Sequence, residues 1–136
     1  MRTAQDILAE LNAADESPRV EAKRSRDIGK SVIETVVAFA NEPGLGGGHI
    51  LLGVGSRVDD KGDARYWPEG LADPDKIQKD LASQSATMLN VAIRPEMSVE
   101  RIDGKIIVVV FVPEADVTQR PVYLEPMSES VRMPSW

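Results

Sequence analysis

Cysteine is absent from this chain, and histidine occurs once, at His49. Those two shortages exclude a disulfide framework, thiolate chemistry and the usual zinc sites, which need cysteine or several histidines. A Ser-His-Asp arrangement would have to use His49, which stands at the entry to an apolar strand and reads as a packed or surface residue. No apolar run approaches the ~20 residues that span a bilayer. The N-terminal stretch Met1–Asp6 lacks the apolar core of a secretory signal. A cytoplasmic protein with no membrane partner is therefore expected. Internal repeats and low-complexity linkers are missing too, so residues 1–136 are read as one domain. The abrupt finish at Pro134-Ser135-Trp136 makes it the expected N-terminal fragment of a longer polypeptide.

The formal net charge of -6 argues against a surface built to grip nucleic acid all over. The cations are unevenly spread, however. Arg19, Lys23, Arg24, Arg26 and Lys30 crowd together among Glu16, Glu21 and Asp27. That stretch is either a local basic stripe or a solvated face.

The hydrophobic pattern predicts an α+β fold: a mixed sheet of five to six strands packed by two to three helices. Thr3 caps a first helix, with Asp6 at N3 and Ala4, Ile7, Leu8 and Leu11 as its apolar stripe. A short strand from Arg19 to Arg24 turns Val20 and Ala22 one way and Glu21 and Lys23 the other. A second helix is expected to start at Ser25 or Asp27 and reach Asn41, with a wide apolar face from Ile28 to Ala40. After a glycine cluster, Ile50 to Val54 is apolar on both faces and so central. A polar hairpin tip, Val58 to Asp63, returns through Ala64 to Trp67. Asp73-Pro74 opens a third helix. Asp103-Gly104 joins two strands, around Ala92–Ile102 and Lys105–Val112. Pro121 to Leu124 and Ser130 to Met133 are read as further strands.

The glycines at 46–48 run from a helix C-terminus into a strand, the reverse of a phosphate loop, and no Gly-Lys-Ser/Thr follows. Asp59-Asp60-Lys61-Gly62-Asp63 lacks the ligand spacing of a calcium loop. Glu16 and Glu21 are more interesting. With Lys23 beside them, two carboxylates at this spacing can hold Mg²⁺ or Mn²⁺ and orient a phosphodiester, with Asp59 or Asp60 supplying a third oxygen ligand. Surface ion pairing with Lys23, Arg24 or Arg26 is the ordinary alternative. Tyr66 and Trp67 are either a stacking surface or partly buried core.

The run Glu16…Glu21-x-Lys23, then Ala38-Phe39-Ala40-Asn41, then Gly47-Gly48-x-Ile50-Leu51-Leu52-Gly53-Val54, resembles the Schlafen/Alba-like (AlbA_2-type) DNA-binding domain. Gly104-Lys105, Pro121-Val122-Tyr123 and Val131-Arg132 fit that family's C-terminal half. The resemblance implies a nucleic-acid-binding module, typically in the N-terminal part of bacterial transcriptional regulators. In animal Schlafen proteins a related domain pair cleaves RNA through two glutamates and an aspartate. The glutamates carry over to Glu16 and Glu21. The aspartate's place, just after Gly53-Val54, holds Gly55-Ser56 here, which leaves Asp59 or Asp60 as the nearest source.

Three readings follow. The first is a nucleic-acid-binding module, with DNA the expected partner, using Lys23, Arg24, Arg26 and Lys30 on phosphates. The second is a divalent-metal-dependent nuclease using Glu16, Glu21 and Asp59 or Asp60. The third is a regulatory or assembly module without nucleic-acid contact, in which exposed strand edges near the C-terminus would allow a homodimer.

Overall fold

A computed structural model describes residues 2–24 and 28–125. The elements run α1 (Ala4–Ala14), β1 (Val20–Lys23), α2 (Lys30–Asn41), β2 (Gly48–Leu52), β3 (Val54–Val58), β4 (Ala64–Pro68), α3 (Pro74–Thr87), β5 (Glu96–Ile102) and β6 (Lys105–Val112), then a short 3-10 turn at Val117–Gln119. The fold is α+β. Among the described residues six strands divide into a mixed four-stranded sheet, ordered β1-β2-β6-β5, and a two-stranded antiparallel ribbon, β3-β4. Strand β1 lies parallel to β2, with α2 crossing between them; β6 is antiparallel to both of its neighbours.

Alternation along β2 and β6 explains the two layers. Ile50, Leu52, Val108, Val110 and Val112 face α2 and α3. Leu51, Ile107 and Val109 face α1, where Ile7 and Leu11 are fully buried with Val20 and Tyr66. With helices on both faces, the central strands must be apolar throughout, as their sequences are. Thr3 caps α1 through the Asp6 N–H at 3.1 Å, and the Ala4 N–H donates to Glu100 of β5 at 2.8 Å. That carboxylate sits where the helix dipole favours it. Asp103 and Gly104 both take positive φ, 52° and 77°, as a tight hairpin turn demands.

Two expectations change. Helix α2 begins at Lys30 with Gly29 as its N-cap, so Gly29 precedes the first turn; the proposed caps Ser25 and Asp27, like the strand proposed at 130–133, lie outside the described residues. Pro121 to Leu124 is not a strand, apart from one bridge between Leu124 and Leu89. Asparagine amides hold it instead. Asn41 donates to the Val122 carbonyl and accepts its N–H, both at 2.8 Å. Asn90 bonds the Pro121 carbonyl at 3.1 Å and the Tyr123 N–H at 2.8 Å. An amide carries one donor and one acceptor side by side and so substitutes for a strand partner.

The glycine cluster is structural. A Cβ on Gly47 would stand 2.1 Å from the Val112 carbonyl oxygen, and its φ is 103°. The Glu114 carboxylate accepts the Gly46 N–H at 2.8 Å and the Gly44 N–H at 3.2 Å and pairs with Arg120 at 3.3 Å. Those donors, Gly46 first, hold its pKa below the ordinary 4.5.

Gly47→Ala is expected to cost about 3 kcal/mol in denaturant unfolding, because backbone strain and a clash coincide. Gly29→Ala, with open space around it, should cost under about 1 kcal/mol. Glu114 also sets a pH dependence. Its native pKa is depressed, so between that value and 4.5 the unfolded chain binds more protons and stability rises with pH. The contribution is complete above 4.5 and is lost as pH falls through the native value; Glu114→Gln should flatten that part of a stability-versus-pH curve.

Candidate functional site

Strand β1 forms one edge of the main sheet and carries Glu21 and Lys23, with Glu16 just before it and Arg24 just after it. Before it, a turn closes with the Ser17 N–H donating to the Val20 carbonyl at 3.0 Å. The turn folds Glu16 back along the outer edge, where its carboxylate accepts the Ala22 N–H at 3.0 Å. Within the strand, Val20 and Ala22 pack toward α1, which turns Glu21 and Lys23 toward α2. There Thr35 donates to Glu21 at 2.6 Å, and the Lys23 ammonium lies 3.0 Å from the same oxygen, both charged side chains being 25% exposed. Glu21 and Lys23 are thus brought together, as their shared face requires. Thr35 is the partner the sequence did not announce; it is buried, and a hydroxyl there needs an acceptor.

Arg24, just past β1, reaches the ribbon. Its guanidinium carbon lies 5.7 Å over the Trp67 ring, and its Nε is 3.3 Å from Glu69, with 57% of the side chain exposed. Lys30 sits in the first turn of α2, 3.9 Å from Glu34 and largely in solvent. Arg26 lies outside the described residues.

The ribbon separates its two aromatic residues. Tyr66 points inward and is 7% exposed; its hydroxyl donates to Asp15, and the Asn12 amide bonds both the N–H and the carbonyl of Tyr66 at 2.8 and 3.0 Å. Burial, and then the Asp15 contact, raise the Tyr66 pKa, while the phenol and the Glu16 N–H lower that of Asp15. Trp67, one residue on, lies on the outer face opposite Gly55. A Cβ on Gly55 would come within 2.8 Å of the Trp67 indole and of the Glu69 carboxylate, so the ring rests against bare backbone there. The alternation of Ala64 to Trp67 could have separated the two rings; the Gly55–Trp67 pairing needed the register.

The expected metal triad is not assembled. Asp59 closes the ribbon tip, accepting the Lys61 and Asp63 N–H groups at 2.9 Å each and pairing with Arg65 at 3.4 Å. The Asp63 N–H heads the causes that depress its pKa. Asp60 is exposed at the same tip. Glu16 is spent on an edge amide and Glu21 on Thr35 and Lys23. Among the described residues no three Asp, Glu, His or Cys side chains gather where they could hold a cation. These donors do not fit Mg²⁺ or Mn²⁺, which need several convergent oxygens, and no hydrolytic step is derived through one. Asp59 and Asp63 line a polar cleft of about 600 Å³ with Asn12, Asp15 and Arg65. His49 rests against Phe111, ring centroids 5.1 Å apart, and burial lowers its pKa.

Among the described residues no helix is long and apolar enough to cross a membrane. A family model described as Schlafen, AlbA_2 matches residues 16–131. The solution structure of the N-terminal domain of a RecG-related protein of Nitrosomonas europaea, whose name places that protein with the ATP-dependent DNA helicases, is 64% identical. It superposes with a TM-score of 0.85 over 93% of this chain and 83% of that one. The crystal structure of the DIP2311 protein of Corynebacterium diphtheriae shares the fold at 20% identity, with a TM-score of 0.52 over 87% of this chain and 22% of that one. No curated protein matches.

Thr35→Val removes the donor to a half-buried carboxylate and should lower stability by about 1 kcal/mol in chemical denaturation. An unchanged midpoint would mean that water serves Glu21 equally well.

Proposed function

The chain belongs to the Schlafen AlbA_2 family, and on that footing we propose that it is a nucleic-acid-binding module, with DNA as its partner. The observation that carries this reading is the meeting of Arg24 with Trp67. It joins the basic segment around β1 to an aromatic residue on the ribbon, and cation beside π-surface is the pairing that nucleic acids engage. Arg24 and Lys30 are exposed on a chain whose net charge is -6, so contact is local to this end of the sheet. Each is held by one carboxylate, Glu69 and Glu34. Exposed pairs of that kind are worth under about 1 kcal/mol, and a phosphate can replace the carboxylate. Lys23 is bound to Glu21 inside the structure and serves the fold more than the ligand.

The RecG-related relative supports a DNA-related protein as the setting; the transcriptional regulator expected from the sequence gains no support from it. Nuclease activity has no such support, since the carboxylates it would need are engaged separately.

Fluorescence anisotropy with labelled DNA and RNA at several salt concentrations tests the proposal. Affinity should fall linearly on a log–log plot, by about 0.7 to 0.9 per phosphate contact. Absence of binding at low salt, or binding indifferent to salt, would overturn it.

A further inference from the structure

Gly55 and Arg57 alternate with Val54 and Ser56 along β3, and Arg65 and Trp67 alternate with Tyr66 along β4. The register sets Gly55 opposite Trp67 and Arg57 opposite Arg65. Val54 and Tyr66 are buried in the layer beneath α1. Gly55, Arg57, Arg65 and Trp67 therefore share the ribbon's outer face. Arg24 joins them from β1, over the Trp67 ring. One short two-stranded ribbon thus presents an indole flanked by three guanidinium groups, on a chain that is acidic overall.

The pairing of Arg57 with Arg65 is unfavourable for folding, because like charges directly opposite each other across an antiparallel pair repel. Asp59 relieves Arg65. Arg57 is exposed and forms no ion pair with another described residue. Such a pair becomes favourable when a polyanion lies across it.

We infer that this outer face takes single-stranded nucleic acid, an unpaired base stacking on Trp67 while Arg24, Arg57 and Arg65 hold the flanking phosphates. The inference rests on the nucleic-acid reading above and specifies its ligand. The packing of the indole against Gly55 decides for a single strand. Gly55 lets the ring lie close against the backbone, so it offers a surface for stacking instead of projecting as a wedge. In a duplex the faces of the bases are already covered by their neighbours, and exposing one costs a few kcal/mol. Arg24, with most of its side chain in solvent, can move from the ring to a phosphate as a base arrives. Stacking asks for no particular base, and phosphates for no particular sugar, so DNA and RNA single strands should both bind with little sequence preference.

The test uses the chain with Trp136→Phe, which leaves Trp67 as its one indole. Titration with a thymidine oligonucleotide should quench Trp67 fluorescence, and a duplex of the same length should bind more weakly. Trp67→Ala should weaken single-strand binding about tenfold, and Trp67→Phe should retain most of it. Arg57→Ala, which removes one side of a repulsive pair, should weaken binding and reduce the salt slope by about 0.7 while leaving the melting temperature unchanged or higher. Arg57→Ala, Trp67→Phe and the quench decide the matter even if Trp67→Ala fails to fold. Duplex bound as tightly as single strand, an unquenched indole, or an Arg57→Ala variant of full affinity would overturn the inference while leaving the nucleic-acid reading intact. Absence of binding to any nucleic acid at low salt removes both.

Discussion

At Gly53 the chain leaves one sheet and begins another, and the arrangement of the candidate site depends on that residue. Its φ is 95°, a conformation in which a side chain is strained. A Cβ there would also press on Leu71 at 3.0 Å and on the Ile106 carbonyl at 3.2 Å. Its N–H donates to the Lys23 carbonyl, and its carbonyl accepts the N–H groups of Glu69 and Gly70, all within 2.9 Å. One buried residue thus ties the end of β1 to the point where the ribbon returns. Because Lys23 and Glu69 are both fixed there, Arg24 and Trp67 are delivered to each other.

The electrostatics around this junction are graded by burial. Glu21 and Lys23, each 25% exposed, pair with one another, Glu21 also accepts from Thr35, and both are held by the fold. Arg24 and Lys30 have exposed carboxylate partners that a phosphate can displace. Arg57 faces Arg65 across the ribbon, a repulsion that Asp59 relieves only at Arg65. Arg24 and Arg57, cheaply held or without an ion pair among the described residues, lie at the ribbon; Lys23, paired with Glu21, faces α2.

Much of this was legible in the sequence. Periodicity located α1, α3, β1 and β6 closely, since each carries a clear cap, alternation or apolar run, and the shared face of Glu21 and Lys23 followed from strand geometry alone. The division into two sheets was not legible, because Gly53 reads as an interruption of one strand until its hydrogen bonds are known. The segment 121–124 looked like a strand because Val122 is β-branched, Tyr123 aromatic and Leu124 apolar. Its partners are the amides of Asn41 and Asn90, which no periodicity reveals. The carboxylate triad is not assembled for a similar reason: spacing set Glu16 at the turn before the strand that carries Glu21, but a local amide and a threonine hydroxyl engage their oxygens, and Asp59 closes its own turn.

The ribbon's outer face is the surface proposed to contact nucleic acid. Nitrogen-15 chemical-shift mapping during titration with a short single-stranded oligonucleotide tests that most directly. The largest shifts should fall on the Trp67 indole, Gly55, Arg57 and Arg24, with the signals of α3 and of the His49–Phe111 surface unmoved. Shifts gathered around His49 and Phe111, or along the Asp15–Asp63 cleft, would contradict it.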